Sequence, residues 1–379
     1  MEWKIPLSDI DFGPEEKDVV NEVLRSRWLT MGSVTQDFEQ AFASYVGARF
    51  AIAVTNATAA LHLACIVVGL KPGDEAIVPS LTFVATANAV RYAGAIPVFA
   101  DIVSEQDLNI SYHAIEKAIS DRTRAIIVMH YGGYACDMHS IMELAREHNL
   151  RVIEDAAHAV GSELDDRKLG TWGDIGCFSF FSNKNMTTGE GGMLVTDNEA
   201  YAKKLHSLRS HGMTTLTWDR HKGHAWSYDV IDLGYNYRID EIRAAIGKVQ
   251  LGKLSANNER RRHLTQVYRE ILQECSPQIT IPFANHVGIS AAHLMPVLLP
   301  ADTDKMGFME NMKSQGIQTS VHYPPVHTFT AYDVGRGKYS LPTTEDVAAR
   351  EVTLPLFPLL SDENVVEVAE AVAQALGKT

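Results

Sequence analysis

The sequence predicts an α/β protein: a mostly parallel central sheet with helices on both sides, followed by a smaller α+β domain. Three observations predict it. Short apolar runs alternate with helical patterns from residue 50 to residue 196. Several of those runs are apolar at nearly every position, as strands are when both faces of a sheet are covered. Beyond Asp197 the alternation stops and a long helical pattern begins, which places a large domain at 1–249 and a small one at 250–379.

Each element has a local reason. Gly13-Pro14-Glu15-Glu16 opens a helix, with proline in the first turn and acids at the positive end of the dipole. Val19, Val20, Val23 and Leu24 mark its apolar face. A loop at 27–32 leads to an amphipathic helix at 35–45, with Phe38, Phe42 and Tyr45 inward. Strands are expected at 50–55, 76–79, 97–101, 125–130, 151–155, 176–180 and 193–196. Helices are expected between many of them, at 57–70, 85–93, 112–120 and 140–147. A helix at 200–210 precedes a polar, histidine-containing loop at 211–228, and a helical pattern then runs over 239–275. Alternating segments at 292–299 and 318–323 and a capped helix at 363–376 complete the chain. In a doubly wound sheet the functional residues collect at the carboxyl ends of the strands.

Composition narrows the function. The formal net charge of −13 argues against a nucleic-acid surface. The 4 cysteines, Cys65, Cys136, Cys177 and Cys275, show no CxxC spacing and read as reduced structural thiols. The stretch MEWKIPLSDID has no basic region before an apolar core, and no apolar run approaches the ~20 residues of a membrane span, so a cytoplasmic protein is expected. His211, His221 and His224 have no cysteine or acidic set at metal spacing, and no metal is expected.

Four stretches carry candidate chemistry. In GCFSFFSNKNMTTGEGG, Lys184 follows an apolar strand and precedes a glycine-rich loop, a setting suited to Schiff-base formation if burial lowers the amine's pKa. Ser179 in the same stretch either joins a phosphate site or satisfies backbone at the strand end. In VTNATAAL a strand gives way to a helix through small residues; Thr58 and Ala59 either receive a phosphate at the helix end or belong to an ordinary capped helix. In VIEDAAH, Asp155 ends an apolar strand, where it either holds a protonated heterocyclic nitrogen or caps the next helix; His158 either faces the same cavity or is an interior histidine. In LGYNYR, Asn236 and Arg238 either meet phosphate or carboxylate groups or form a turn and an exposed arginine. An aldehyde-capturing lysine, an acid for a ring nitrogen and a helix end for phosphate are together the handles of pyridoxal phosphate.

The motifs IPLSDIDFGPEE, WLTMG, TNATAALHLA, PSLTFVATANAV, GAIPVFADI, IEDAAHAVG, FSFFSNKNMTTGEGGML, LGYNYRIDEIRAAIG and VHYPPVH span essentially the whole chain. With them the chain resembles the DegT/DnrJ/StrS-type nucleotide-sugar aminotransferases, pyridoxal-phosphate enzymes of the aspartate-aminotransferase fold (fold type I). The resemblance implies that Lys184 binds the cofactor covalently and that Asp155 pairs with its ring nitrogen. It places Thr58, Ala59 and Ser179 at the phosphate, Phe83 on the ring, His158 near the phenolic oxygen where the family often has glutamine, and Asn236 at the phosphate of a neighbouring subunit in a homodimer. It implies substrate contacts from Trp28, Thr30, Met31, Asn185, Arg238, Tyr323 and His327, with a structural loop the other reading for the VHYPPVH pair.

The implied reaction has two halves: an amino acid, L-glutamate in the family, gives up its amino group, and a nucleotide-diphosphate keto sugar receives it. The loop motifs look most like members acting at C4 of a 4-keto-6-deoxy sugar; members acting at C3 share most of them. A dehydratase on the same fold commonly lacks the lysine, and Lys184 argues against that reading. A non-catalytic regulatory relative is opposed by the joint presence of Lys184, Asp155 and the phosphate motif.

Overall fold

The computed structural model describes residues 3–214, 227–332 and 339–377. Its centre is a 7-stranded sheet in the order Phe50–Val54, Gly192–Thr196, Ile175–Ser179, Arg151–Asp155, Thr123–Met129, Glu75–Pro79, Ile96–Ala100. Each of the seven strands expected between residues 50 and 196 is present to within a residue or two. Parallel pairing joins Ile175–Ser179 through Ile96–Ala100. Gly192–Thr196 runs antiparallel to both its neighbours. It is the return leg of a hairpin from Ile175–Ser179, so a short loop suffices where a parallel strand would need a crossover helix.

The apolar strands bury both faces. On one side Phe38 and Phe42 from helix Ser33–Val46 meet Phe178 and Phe180 from the sheet. Phe42 is fully buried, with its ring 5.1 Å from that of Phe178 and 5.5 Å from that of Phe180. Phe42→Ala is expected to cost about 3–5 kcal/mol, since the rigid sheet side cannot collapse into the cavity. Urea unfolding followed by circular dichroism checks it, and a loss below about 1 kcal/mol would contradict this packing. On the other side helix Ala57–Val67 is buried almost all round, through Leu61, Leu63, Ala64 and Cys65.

The long helix is one element of 35 residues, Glu241–Cys275, capped by Asp240, whose Oδ1 accepts the Arg243 amide. Its early part packs on helices Pro14–Ser26 and Ser33–Val46, and its late part on Asp362–Leu376. Gly247 permits the first contact: a Cβ there would stand 2.6 Å from Cζ of Phe38. The late part joins a separate core with Val297, Val352, Leu354, Val365 and Val368.

Two expectations are corrected here. The segment 318–323 is not a strand; it makes only isolated bridges, such as Ser320 to Thr353. The alternating segment 292–299 shrinks to Met295–Leu298, paired with Glu351–Leu354. Helices Lys305–Ser314 and Pro342–Arg350 are additions to the elements read from the sequence. Among the described residues no helix is long and apolar enough to cross a membrane.

Candidate active site

The carboxyl ends of the parallel strands converge on one cavity of about 450 Å³. Asn56, Ala57, Thr58, Phe83, Asp155, His158, Ser179, Lys184 and Tyr323 line it. Residues more than a hundred positions apart in the chain thus meet because the strand ends that carry most of them lie along one edge of the same sheet.

Asp155 is the last residue of its strand and is buried. Thr86 donates its hydroxyl to Oδ2 at 2.7 Å, and the Ala157 amide donates to Oδ1 at 3.2 Å. Burial raises the Asp155 carboxyl above its usual range, opposed by the Thr86 hydroxyl, the Ala157 amide and the charge of Lys184. A cationic ring nitrogen beside it would reverse that balance.

Lys184 sits on a loop that closes on itself. Its amide donates to Phe181 O at 2.9 Å, Phe180 N to Gly191 O at 2.9 Å, and Thr188 N to Phe180 O at 2.9 Å. Gly192 has a steric role: a Cβ there would come within 2.5 Å of the Asn56 carbonyl carbon. The returning strand therefore presses directly on the start of the Ala57–Val67 helix and aligns the lysine loop with it. Desolvation pushes the Lys184 amine down to about 8, against the opposing pull of Asp155.

At the helix start, Asn56 caps the turn: its Oδ1 accepts the Ala59 amide at 2.8 Å. Ala57 and Thr58 line the cavity, and Ala59 stands behind them with its amide already engaged. Ser179 lines the cavity and accepts the Phe181 amide at 3.3 Å, so it supports the strand end and keeps its own O–H to donate. Asn183, also on the cavity wall, has a buried Oδ1 with no protein partner among the described residues.

His158 and Tyr323, expected near cofactor and substrate respectively, bond to each other: Nε2 lies 2.9 Å from the phenol oxygen. The Gly132 amide donates to Nδ1 at 3.4 Å, so Nε2 carries the proton and donates to Tyr323. Burial, helped by the charge of Lys184, holds His158 well below its usual range and neutral. Phe83 is 57% exposed, with its ring 6.0 Å from that of Tyr323 at the cavity wall.

Other candidates stand elsewhere. Asn185 faces inward: its Nδ2 donates to Asn258 Oδ1 at 2.7 Å and Ala291 O at 2.8 Å, and its Oδ1 lies 2.7 Å from His293 Nδ1. One residue past Lys184 the side chain turns to the opposite side, and all its polar atoms are used within the protein. His327 lies 2.7 Å from Ser80 Oγ and 3.2 Å from Glu345 Oε1, outside the cavity lining. Trp28, Thr30, Met31, Asn236 and Arg238 also lie outside the cavity lining of their own chain. The loop carrying the first three is pinned by Glu241, which accepts the amides of Gly32, Val34 and Thr35 at 2.8–2.9 Å. Arg238 donates to Ser210 Oγ at 3.1 Å, and Asn236 is exposed. Among the described residues no three His, Cys, Asp or Glu side chains group as metal ligands; His221 and His224 lie outside the described residues.

Among the wall residues that had escaped the sequence reading are Thr82, Asn183 and His322. Thr86, behind the wall, had escaped it too. Its hydroxyl is fully buried in a helix of small residues, and a buried hydroxyl needs an acceptor. That was its only signal.

Comparison with known proteins places the whole chain among relatives of one family. The spore coat polysaccharide biosynthesis protein SpsC of Bacillus subtilis is 40% identical over 379 residues, covering 98% of this chain and 95% of that protein. The Helicobacter pylori aminotransferase PseC, involved in the biosynthesis of pseudoaminic acid, superposes with a TM-score of 0.90 at 30% identity, covering 100% of both chains. Spr1654 of Streptococcus pneumoniae, in its PMP form, superposes with a TM-score of 0.93 at 28% identity, covering 99% of this chain and 100% of that one. Spr1654 has also been solved in a PLP form, which supports pyridoxal phosphate as the cofactor of the family. The model of the DegT/DnrJ/EryC1/StrS aminotransferase family matches residues 11–373, and the chain belongs to that family.

Proposed function

We propose that this aminotransferase uses pyridoxal phosphate to move an amino group from an amino acid, L-glutamate by resemblance, to a keto sugar carried on a nucleotide diphosphate. The reacting carbon is C4 of a 4-keto-6-deoxy sugar. The observation that carries the reading is the joint placement of Lys184, Asp155 and the start of helix Ala57–Val67 around one cavity.

The residues fit the cofactor chemically. Asp155 would hold the ring nitrogen, and Thr58 and Ser179 with the helix start would hold the phosphate, while Ala59, its amide taken by Asn56, stands behind them. Phe83 would cover the ring, His158 would face its phenolic oxygen, and Lys184 would anchor it covalently. When bound, the group supplies an electron sink for the donor's α-carbon. Lys184 Nζ then carries the proton away from that carbon, a task suited to an amine titrating near neutrality. Tyr323 and His158, already hydrogen-bonded, present a neutral polar wall to the substrate.

A second copy completes the site in this reading. Leu233, Ile231, Val230 and Tyr228 are exposed near Asn236 in the chain, an apolar surface suited to a homodimer. Asn236 would reach the partner's phosphate from there.

The test is glutamate-dependent amination of a panel of 3-keto and 4-keto nucleotide sugars, with the product assigned by NMR. A 4-amino product is expected. A 3-amino product would overturn the C4 assignment, and elimination of a hydroxyl without amination would replace the reaction class.

A further inference from the structure

Beside the cavity, His322 is tied to a completely buried carboxylate. Glu351 is 0% exposed. Its Oε2 accepts the His322 amide at 2.8 Å, and its Oε1 accepts the Thr353 hydroxyl at 2.5 Å. Thr353 Oγ1 lies 2.8 Å from His322 Nδ1. Tyr131 donates its hydroxyl to the His322 carbonyl and holds the same residue from another side.

These contacts decide a tautomer. A hydroxyl has one hydrogen to give. Thr353 gives it to Glu351, so toward the ring Thr353 only accepts, and His322 Nδ1 must carry the proton. Nε2 is left with a bare lone pair. Among the described residues no hydrogen bond is made by that nitrogen, and His322 lines the same cavity as Lys184 and Tyr323. The ring is neutral, since burial holds it down to about 3 with the Lys184 charge adding to the effect.

The geometry points to Glu351 and Thr353 as positioning residues that fix His322 as the Nδ1–H tautomer, so that its Nε2 accepts a hydrogen bond from a hydroxyl of the keto sugar. This rests on the sugar-substrate reading above. The chain of bonds needs Glu351 ionised. Burial pushes its carboxyl up to about 7, opposed by Thr353, the His322 amide and the charge of Lys305. Tyr131 and Tyr323 also face it. The tautomer is therefore fixed at pH 8. Below about pH 7 a protonated Glu351 can donate to Thr353 and release the hydroxyl hydrogen toward Nδ1.

Thr353→Val removes the link at nearly constant volume, and Thr353→Ser keeps it. Protein labelled with ¹⁵N-histidine gives the tautomer by NMR at pH 8, with His322→Asn assigning the signals. Wild type and Thr353→Ser are expected to show His322 protonated at Nδ1, and Thr353→Val to lose that preference. With sugar substrate, Thr353→Val should lower kcat/KM roughly five- to tenfold, the effect of one hydrogen bond, while the half-reaction with the amino donor stays within about twofold. Thr353→Ser should restore the sugar step. An Nδ1–H tautomer unchanged in Thr353→Val, or an equal loss in both half-reactions, would overturn the proposal. If no keto sugar is aminated, the substrate reading fails and the sugar contact falls with it; the NMR arm still decides whether Thr353 sets the tautomer.

Discussion

Lys184→Ala is expected to lower amino transfer by about four orders of magnitude or more while leaving the fold intact, because one amine serves as both covalent anchor and proton carrier. The side chain enters the cavity from a loop closed by backbone hydrogen bonds that do not involve its amine. The variant should still take up pyridoxal phosphate through Asp155 and the helix start. It should lose the visible band that borohydride bleaches in the wild type, and peptide mapping should find the reduced adduct on Lys184 in the wild type alone. Turnover by Lys184→Ala within tenfold of wild type would remove Lys184 from its role.

The same amine sets a pH dependence. With its pKa at about 8, roughly a quarter of Lys184 is neutral at pH 7.5; at the ordinary value of 10.5 about a thousandth would be. Only the neutral amine attacks a carbonyl. The rate of cofactor loading is therefore expected to rise from pH 6 to pH 8 and to flatten above about pH 9. Stopped-flow absorbance checks this, and a rate still climbing in proportion to hydroxide at pH 10 would show that the site leaves the lysine unperturbed.

Asp155→Asn is the second large effect. The amide keeps the size of the carboxyl and can still accept one of the two hydrogen bonds from Thr86 and Ala157. It cannot supply the negative charge that a cationic ring nitrogen needs in a buried setting. Breaking a buried charge pair costs about 3–5 kcal/mol, which corresponds to roughly 10²–10⁴ in kcat. The thermal unfolding midpoint without cofactor is expected to stay the same or rise, because burial already disfavours the carboxylate. Activity within threefold of wild type would show that Asp155 is not opposite the ring.

Much of the site was legible because its chemistry is encoded locally. Asp155 ends an apolar run, Lys184 follows another, and small residues at 57–60 open a helix. Each is a short-range pattern, and the α/β topology brings such strand ends together. Gly192 was legible as part of a glycine cluster, but its reason was not: it is the contact with Asn56, 136 positions away by residue number. Asn185 and His327 show the opposite failure. Both lie in telling motifs, yet their side chains turn toward Asn258 and Ser80, partners that only the folded chain provides.

Periodicity and turn chemistry by themselves determined the strands, the helices around them and a mostly parallel sheet, while the paired roles of Asp155 and Lys184 came from the resemblance. The elements and the sheet follow from backbone geometry and from which residues tolerate burial. The tertiary structure decided the direction of each polar side chain. It turned Thr86 onto Asp155, His158 onto Tyr323, and Thr353 between Glu351 and His322. The physical reason is that a buried donor or acceptor must find a partner, and which partner lies within 3 Å is fixed by elements far apart in the chain.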